Sequence, residues 1–333
     1  MPKIQIIGTS GAGKTTLAEA CAQAFDIPHI ELDGIHWQNG WVELDRAEMK
    51  ARVASLLAQN PQWVVDGNYS QVFDLVQSQA HLIIWPDLPK YQTLWAVTRR
   101  SIIRGLTRAR LWKTENRESL FKFFFSKDSM FYWVWTTHDR RHREFSEVFK
   151  RLTQIDDGPL LVRLKSRRET KILRDTLLRR GRKGLIHKAL AYVVRGSGNQ
   201  AQLLVFEHPK TKNVEVVRGT VDQGESSRQT AERELFEEAG LSLPVKKRLG
   251  FESIFVRSGP FRQGPFEHQL YDCFLFDGSG VGKEEWTHQV SGDGGDEGMK
   301  FRFFWIPLAS AQKKLTPETA KIIGSKALSD WGA

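Results

Sequence analysis

"GTVDQGESSRQTAERELFEEAGL" (Gly219–Leu241) carries five glutamates, Glu225, Glu232, Glu234, Glu237 and Glu238, in a chain whose net charge is +10. Like charges three and four residues apart on a helix repel, so the stretch opposes its own folding unless something compensates it. On a helix from Ser226 to Ala239, turning about 100° per residue, Glu234, Glu237 and Glu238 fall on one face. Arg233 stands four residues before Glu237, close enough to pair with it and fix its rotamer. Gly219 and Gly224 are expected to let the preceding loop bend tightly, and Gly240 to end the helix in the left-handed region. Three convergent carboxylates with one basic organiser make a hard, oxygen-rich site suited to Mg²⁺ or Mn²⁺. Such an ion is the expected compensation. The competing reading, a surface helix with a solvated acidic face, leaves the glycine spacing unexplained.

Gly219, five residues, Glu225, seven residues, Arg233-Glu234-Leu235, one residue, Glu237-Glu238, one residue, Gly240-Leu241 resembles the Nudix box at every defined position. The resemblance covers residues ~185–330 and implies an α/β/α sandwich with a mixed sheet. It also implies Mg²⁺-dependent hydrolysis of a nucleoside diphosphate linked to another moiety. By position, Glu234, Glu237 and Glu238 would bind the metal and Arg233 would orient them. Glu225 would stabilise the loop–helix junction or assist the metal, and the Gly219 carbonyl would join the coordination. The general base varies in this family. Glu234 is one candidate, and Glu284, Glu285, His288, Asp296 and Glu297 in the later acidic loop are others.

At 333 residues the chain is too long for one ordinary core, and about two domains are expected. Charge is unevenly spread. Residues 1–183 hold 30 Lys/Arg against 20 Asp/Glu, whereas residues 184–333 hold 19 of each. Within 99–183 the ratio is 24 to 10. This asymmetry suggests two modules with different partners. Cys21 and Cys273, the only cysteines, lie far apart without metal-ligand spacing, which suits buried free thiols in a reducing cytosol. "MPKIQIIGTS" reads as a strand rather than a signal peptide, and no apolar run reaches membrane-spanning length. A cytoplasmic location is expected.

The first half alternates apolar runs with helical patterns, as a doubly wound parallel α/β sheet does. "KIQIIG", "HIELD", "WVVDG", "HLIIWP" and "LLVRL" read as its five strands. "IIGTSGAGKTT" follows the first strand and opens a helix, which is the context a phosphate loop requires. Backbone N–H groups of Gly8, Gly11 and Gly13 and the helix start at Thr15 and Thr16 would cradle phosphates. Lys14 would reach the β/γ oxygens, and the Thr15 hydroxyl would meet Mg²⁺. Asp33 and Asp66 sit at strand C-terminal ends, where ligands bind in such sheets.

Together these residues resemble adenylate-kinase-like P-loop proteins, in particular those labelled putative kinases or DNA topology modulation proteins. The shared segments are Gly8–Thr16, Leu32–Trp37, Trp63–Tyr69 and Arg99–Arg104. The resemblance spans residues ~1–175 and implies ATP binding. Asp33 would contact or deprotonate an acceptor, and Asp66 would hold Mg²⁺ through water. Arg99, Arg100, Arg104 and Arg117 would clamp transferring phosphates.

The basic "RDTLLRRGRKG" (Arg174–Gly184) marks the division, giving domains 1–178 and 185–333 with a linker at 179–184. Beyond it "KALAYVV" and "AQLLVFEH" read as a hairpin, with later strands at "SIFV", "QLYDCFLF" and "FRFFWIPL". The Gly-rich, acidic 277–298 reads as a mobile loop. "FKFFFSKDSMFYWVW" (121–135) holds eight aromatics, best read as helix-packing core. The leading reading is therefore an ATP-binding kinase-like module, acting on a small molecule or nucleotide, fused to a Nudix pyrophosphohydrolase. The alternative is a nucleotide-sensing, nucleic-acid-associated regulator that uses the basic 99–183 segment.

Overall fold

The computed structural model describes residues 2–108, 110–112, 114–118, 129–153, 155, 158–222, 224–257, 266–292 and 295–320. The chain forms two compact units, the first up to Leu185 and the second from Ile186. None of the described helices is long and apolar enough to cross a membrane.

In the first unit the five apolar runs become one parallel sheet. Its order is His29–Glu31, Trp63–Asp66, Lys3–Ile6, Leu82–Pro86, Leu160–Leu164. Ile4, Ile6, Val64, Val65, Ile83, Ile84, Leu161 and Val162 are all buried. Adjacent residues point to opposite faces, so burial of consecutive apolar residues means that both faces are covered, as parallel sheets demand. The helix Lys14–Phe25 follows the central strand and buries Leu17, Ala18 and Cys21. Asp45 caps the helix Arg46–Gln59 by accepting from the N–H of Ala47 at 2.8 Å and of Glu48 at 3.2 Å.

Two expectations meet a different arrangement here. Of the aromatic stretch, residues 121–128 lie outside the described residues. Its remainder opens the helix Met130–Thr153, where Val134 packs against Leu94 and Val97. Phe131, Tyr132, Trp133 and Trp135 are instead 40 to 55% exposed. Helical rotation lets only about one residue per turn face the neighbouring helix, so a run of consecutive aromatics cannot all be core. Residues 179–184 continue as the last turn of the helix Arg167–Arg180 and a 3₁₀ turn, Gly181–Gly184.

The second unit is built on an eight-stranded sheet. Its main path is Val245–Arg257, Phe266–Asp277, Leu185–Arg195, Gln202–Glu207, Lys300–Pro307, Glu285–Gln289. The expected hairpin pairs Val194 with Leu203 in antiparallel register. Alternation splits the sheet's side chains between two cores. Tyr192, Val194, Leu203, Val205, Cys273 and Ile306 face Ala311 and Leu315 on one side. Ala189, Ala191, Leu204, Phe206, Phe274 and Phe303 face the helix Ser227–Ala239 on the other. Cys21 and Cys273 are free and buried. The segment read as a mobile loop contains the strand Glu285–Gln289, an edge strand in antiparallel register with Lys300–Phe304.

One buried group works against this core. His268 is 1% exposed, stacks on Phe255 at 4.2 Å, and among the described residues has no hydrogen-bond partner on either ring nitrogen. Burial pulls its pKa down to about 3, so it stays neutral. Each unpaired buried nitrogen costs on the order of 1 kcal/mol or more. His268→Phe keeps the stack and removes both nitrogens. The variant should therefore gain stability of about 1 kcal/mol, seen as a higher urea midpoint at unchanged slope.

Candidate active site

The glutamate helix begins where its sequence says it should. The Ser226 side chain accepts from the N–H of Gln229, and the Gln229 side chain reaches back to the Ser226 N–H, a reciprocal capping box. Gly240, at φ 67°, ends the helix, and the N–H groups of Gly240 and Leu241 close back onto Phe236 and Leu235. Ala231, Leu235 and Ala239 form the buried stripe. The two alanines let the helix lie close to the sheet, and Glu234 and Glu237 are left on its flank.

Arg233 organises those glutamates. Its Nε and Nη2 donate to the two oxygens of Glu225 at 3.0 and 3.1 Å. Its Nη1 donates to Glu234 Oε1 at 2.9 Å and to Glu237 Oε2 at 2.8 Å. The bond to Glu225 raises the Arg233 pKa, and the same bond holds the Glu225 carboxyl below its usual range. Glu225 also accepts from the Thr230 hydroxyl at 2.7 Å, so both its oxygens are spent on the loop–helix junction. Glu232 accepts from the Val245 N–H at 2.9 Å, away from the cluster.

Gly219 acts differently from the expected loop bend. It lies in the strand Val217–Thr220, paired with Ala189, and lacks a left-handed φ. A Cβ there would stand 1.7 Å from Glu234 Oε1. Glycine is needed because the Glu234 carboxyl presses on the strand backbone. Gly224, at φ 92°, does supply the left-handed bend.

Glu238 is the exception in the cluster. It is 7% exposed, and its Oε2 is buried without a partner among the described residues. Burial raises its pKa well above the ordinary carboxylate range; the charges of Glu234 and Asp296 push it further up, against Arg218. Glu234 is likewise raised, by burial first, despite Arg233. Among the described residues no three His, Cys, Asp or Glu side chains stand close enough together to hold a metal ion by themselves. The helix carries Glu234, Glu237 and Glu238 together, but they do not converge as expected: Arg233 turns Glu237 and Glu225 toward itself and leaves Glu238 apart. Hard oxygen donors and an orphaned buried carboxylate oxygen nonetheless fit a divalent cation in chemistry.

The later acidic segment is sorted by its partners. Glu284 pairs with Arg195 at 2.5 Å and Glu285 with Arg302 at 2.8 Å. The His288 ring lies against Gly240, with its Nε2 buried and unpartnered among the described residues. Asp296 faces His208, with Nε2 and Oδ1 3.6 Å apart, and Glu297 is exposed. His208 had no motif to reveal it.

In the first unit the loop after the central strand carries Gly8, Gly11 and Gly13 at positive φ. At Gly11 a Cβ would also meet the Thr93 carbonyl oxygen at 2.5 Å. Lys14 Nζ donates to the Thr9 carbonyl at 3.2 Å. Thr15 donates to Asp66 Oδ2 at 2.7 Å, and His29 Nε2 stands 2.8 Å from Asp66 Oδ1. Thr16 is exposed. Burial lowers the Lys14 pKa, opposed by Asp33 and Asp66 and reinforced by Arg100 and Arg141. Burial pulls His29 down as well, but its bond to Asp66 more than reverses this, and its pKa is raised. Asp33 accepts from the Tyr69 hydroxyl at 2.7 Å.

Arg99, Arg100 and Arg104 share one cavity of about 550 Å³ with Trp95, Ile103 and Arg167. Arg104 pairs with Glu118 at 3.0 Å, while burial and then Arg104 lower the Arg100 pKa. Arg117 lies instead in a β-bridge with Arg110. His29 and Arg141 escaped the motif reading, because only the fold brings their charges to Asp66 and Lys14.

The family model described as NUDIX domain matches residues 186–324. Among solved structures the chain is similar to the C. elegans Ap4A hydrolase, at 19% identity over 42% of this chain and 93% of that one, with a TM-score of 0.30. It is also similar to the NUDIX domain of Shewanella oneidensis NrtR complexed with ADP ribose, at 18% over 42% and 85%, TM-score 0.30. A third is the E. coli dihydroneopterin triphosphate pyrophosphohydrolase, at 15% over 43% and 94%, TM-score 0.29. No curated protein matches the chain. Residues 186–324, with the glutamate helix inside them, are a NUDIX domain.

Proposed function

We propose that the NUDIX domain hydrolyses the pyrophosphate linkage of a nucleoside diphosphate derivative with Mg²⁺ or Mn²⁺ as cofactor. The observation that carries this reading is Glu238, a carboxylate buried with one orphaned oxygen beside a second buried carboxylate, Glu234. A charge so placed is costly unless a cation answers it. Glu234, Glu237 and Glu238, with the Gly219 carbonyl, would hold the ion. When bound, it neutralises diphosphate oxygens and lowers the pKa of a coordinated water. Arg233 sets the rotamers of Glu234 and Glu237 and ties the helix to the loop through Glu225. Gly219 lets Glu234 reach its place.

We propose further that the first unit is a kinase-like module that binds ATP with Mg²⁺. Support comes from the Gly-rich loop at the head of a helix, with Thr15 on Asp66 and with Lys14 and Arg100 beside it. A helix N-terminus preceded by such a loop favours phosphate. Lys14 would release Thr9 to reach a phosphate oxygen. Asp66 would position the metal-bearing hydroxyl of Thr15, Asp33 would meet the acceptor, and Arg99, Arg100 and Arg104 would face the transferring group.

Glu238→Gln should lower the Mg²⁺-dependent release of phosphate from nucleoside diphosphate derivatives by at least roughly 10²-fold, since even outer-shell changes at metal sites cost about 10–100-fold. Full turnover in that variant rules out the metal assignment.

Gly219→Ala should lose activity to a similar degree while its circular dichroism stays native. Its φ is allowed for alanine, and the clash is with the Glu234 side chain.

Lys14→Ala should abolish ATP binding by titration calorimetry; unchanged affinity refutes the reading of the first unit.

A further inference from the structure

We infer that Asp296 takes the proton from the attacking water and that His208 positions Asp296 for it; the inference rests on the hydrolase reading of the NUDIX domain. The acidic segment offers five candidate bases, and their partners separate them. Glu284 and Glu285 are spent on arginines, and Arg195, which holds Glu284, is itself stacked over Trp305 at 4.2 Å. His288 is packed against the helix end at Gly240. Glu297 is exposed, in the same turn as Asp296.

Asp296 is delivered to the site by a turn fastened to the glutamate helix. The Ser291 N–H donates to the Glu237 carbonyl at 3.0 Å, and a Cβ at Gly292 would come within 3.0 Å of Glu237 Oε2. The turn closes on itself through Val290 N–H to Met299 O at 2.8 Å and Gly298 N–H to Val290 O at 3.0 Å. Asp296 is placed near enough for its charge to act on Glu238. Its side chain is 45% exposed, open to a water or substrate, whereas Glu238 is closed off.

His208 reads as a dedicated support. Its Nδ1 accepts from the backbone N–H of Lys210 at 3.3 Å and of Thr211 at 3.2 Å. An imidazole nitrogen that accepts carries no proton, so in the neutral ring the proton sits on Nε2. That nitrogen faces Asp296 Oδ1 at 3.6 Å. The ring is held from the side by Phe301 at 5.7 Å between centroids. The arrangement lets Nε2–H engage one carboxylate oxygen and leaves the other free for the water. In the step, the water's proton passes to Asp296 and its oxygen forms the new bond to phosphorus. The bond from phosphorus to the bridging oxygen breaks, and its electron pair leaves with the departing phosphate.

The experiment measures kcat, KM and Mn²⁺ affinity, the last by electron paramagnetic resonance without substrate, for wild type, Asp296→Asn, His208→Ala, His208→Gln and the Asp296→Asn/His208→Ala double variant. Asp296→Asn should lose roughly 10²–10⁴-fold in kcat, the usual worth of a general base, with KM and Mn²⁺ affinity unchanged. His208→Ala should lose about tenfold, and His208→Gln, which keeps an N–H donor, should recover most of it. The double variant should be no slower than Asp296→Asn alone, because a support has nothing left to act through. Weakened Mn²⁺ binding in Asp296→Asn makes it a ligand and overturns the assignment, as does an unchanged kcat. Additive losses in the double variant reduce His208 to a structural part and overturn its role. A wild type that turns over no nucleoside diphosphate derivative overturns the hydrolase reading, and this assignment with it.

Discussion

One guanidinium holds the glutamate cluster together. Arg233 is the only cation bonded to Glu225, Glu234 and Glu237 among the described residues, and it meets them with the fixed fork of N–H groups that suits paired carboxylate oxygens. Exposed ion pairs contribute little each, at roughly 0–1 kcal/mol, but these share one partly buried donor and relieve repulsion along a helix face. The same residue bonds across the loop–helix junction, to Glu225 and at 3.5 Å to the Thr220 carbonyl. It therefore fixes the position of the strand end at Gly219 relative to the helix. Glu234 can press on that backbone because the strand cannot drift away. The site's shape follows from a charge balance made locally, before any ligand is considered.

That balance is incomplete by design of the geometry. Arg233 reaches the residues on its own side of the helix; Glu238, one further around, is turned into the sheet and receives no side-chain donor for Oε2. A helix that carries Glu237 and Glu238 in succession must send them in directions about 100° apart. One carboxylate is neutralised within the chain, and the other keeps a buried oxygen without a partner among the described residues. The division explains how a helix can be stable enough to fold and still keep one carboxyl without a partner among the described residues.

Much of this was legible in the chain itself. Ser226 with Gln229, and Gly240 after Ala239, mark the helix ends. The spacing of Arg233 and Glu237 announces their pair, and five apolar runs give the parallel sheet. What was hidden depends on contacts distant in sequence. Gly219 reads as a bend until Glu234 is seen against it. "EEWTHQV" is short and flanked by glycines, so it reads as loop; its strand forms because Lys300–Phe304 offers an edge to pair with. His208 stands 88 residues before Asp296, and nothing in its local pattern separates it from a surface histidine. Lys14 is plain in its motif, but its bond to the Thr9 carbonyl is not.

The two units present the same electrostatic problem with opposite sign. In the first, burial lowers the pKa of Lys14, with Arg100 and Arg141 adding to the shift, and burial and then Arg104 lower that of Arg100. In the second, burial raises Glu234 and Glu238, and Glu234 adds to the shift at Glu238. Desolvation and like-charge proximity both disfavour the charged form, so each cluster is least costly when a counter-charge occupies it. On the proposed functions, a phosphate chain would answer the first and a divalent ion the second.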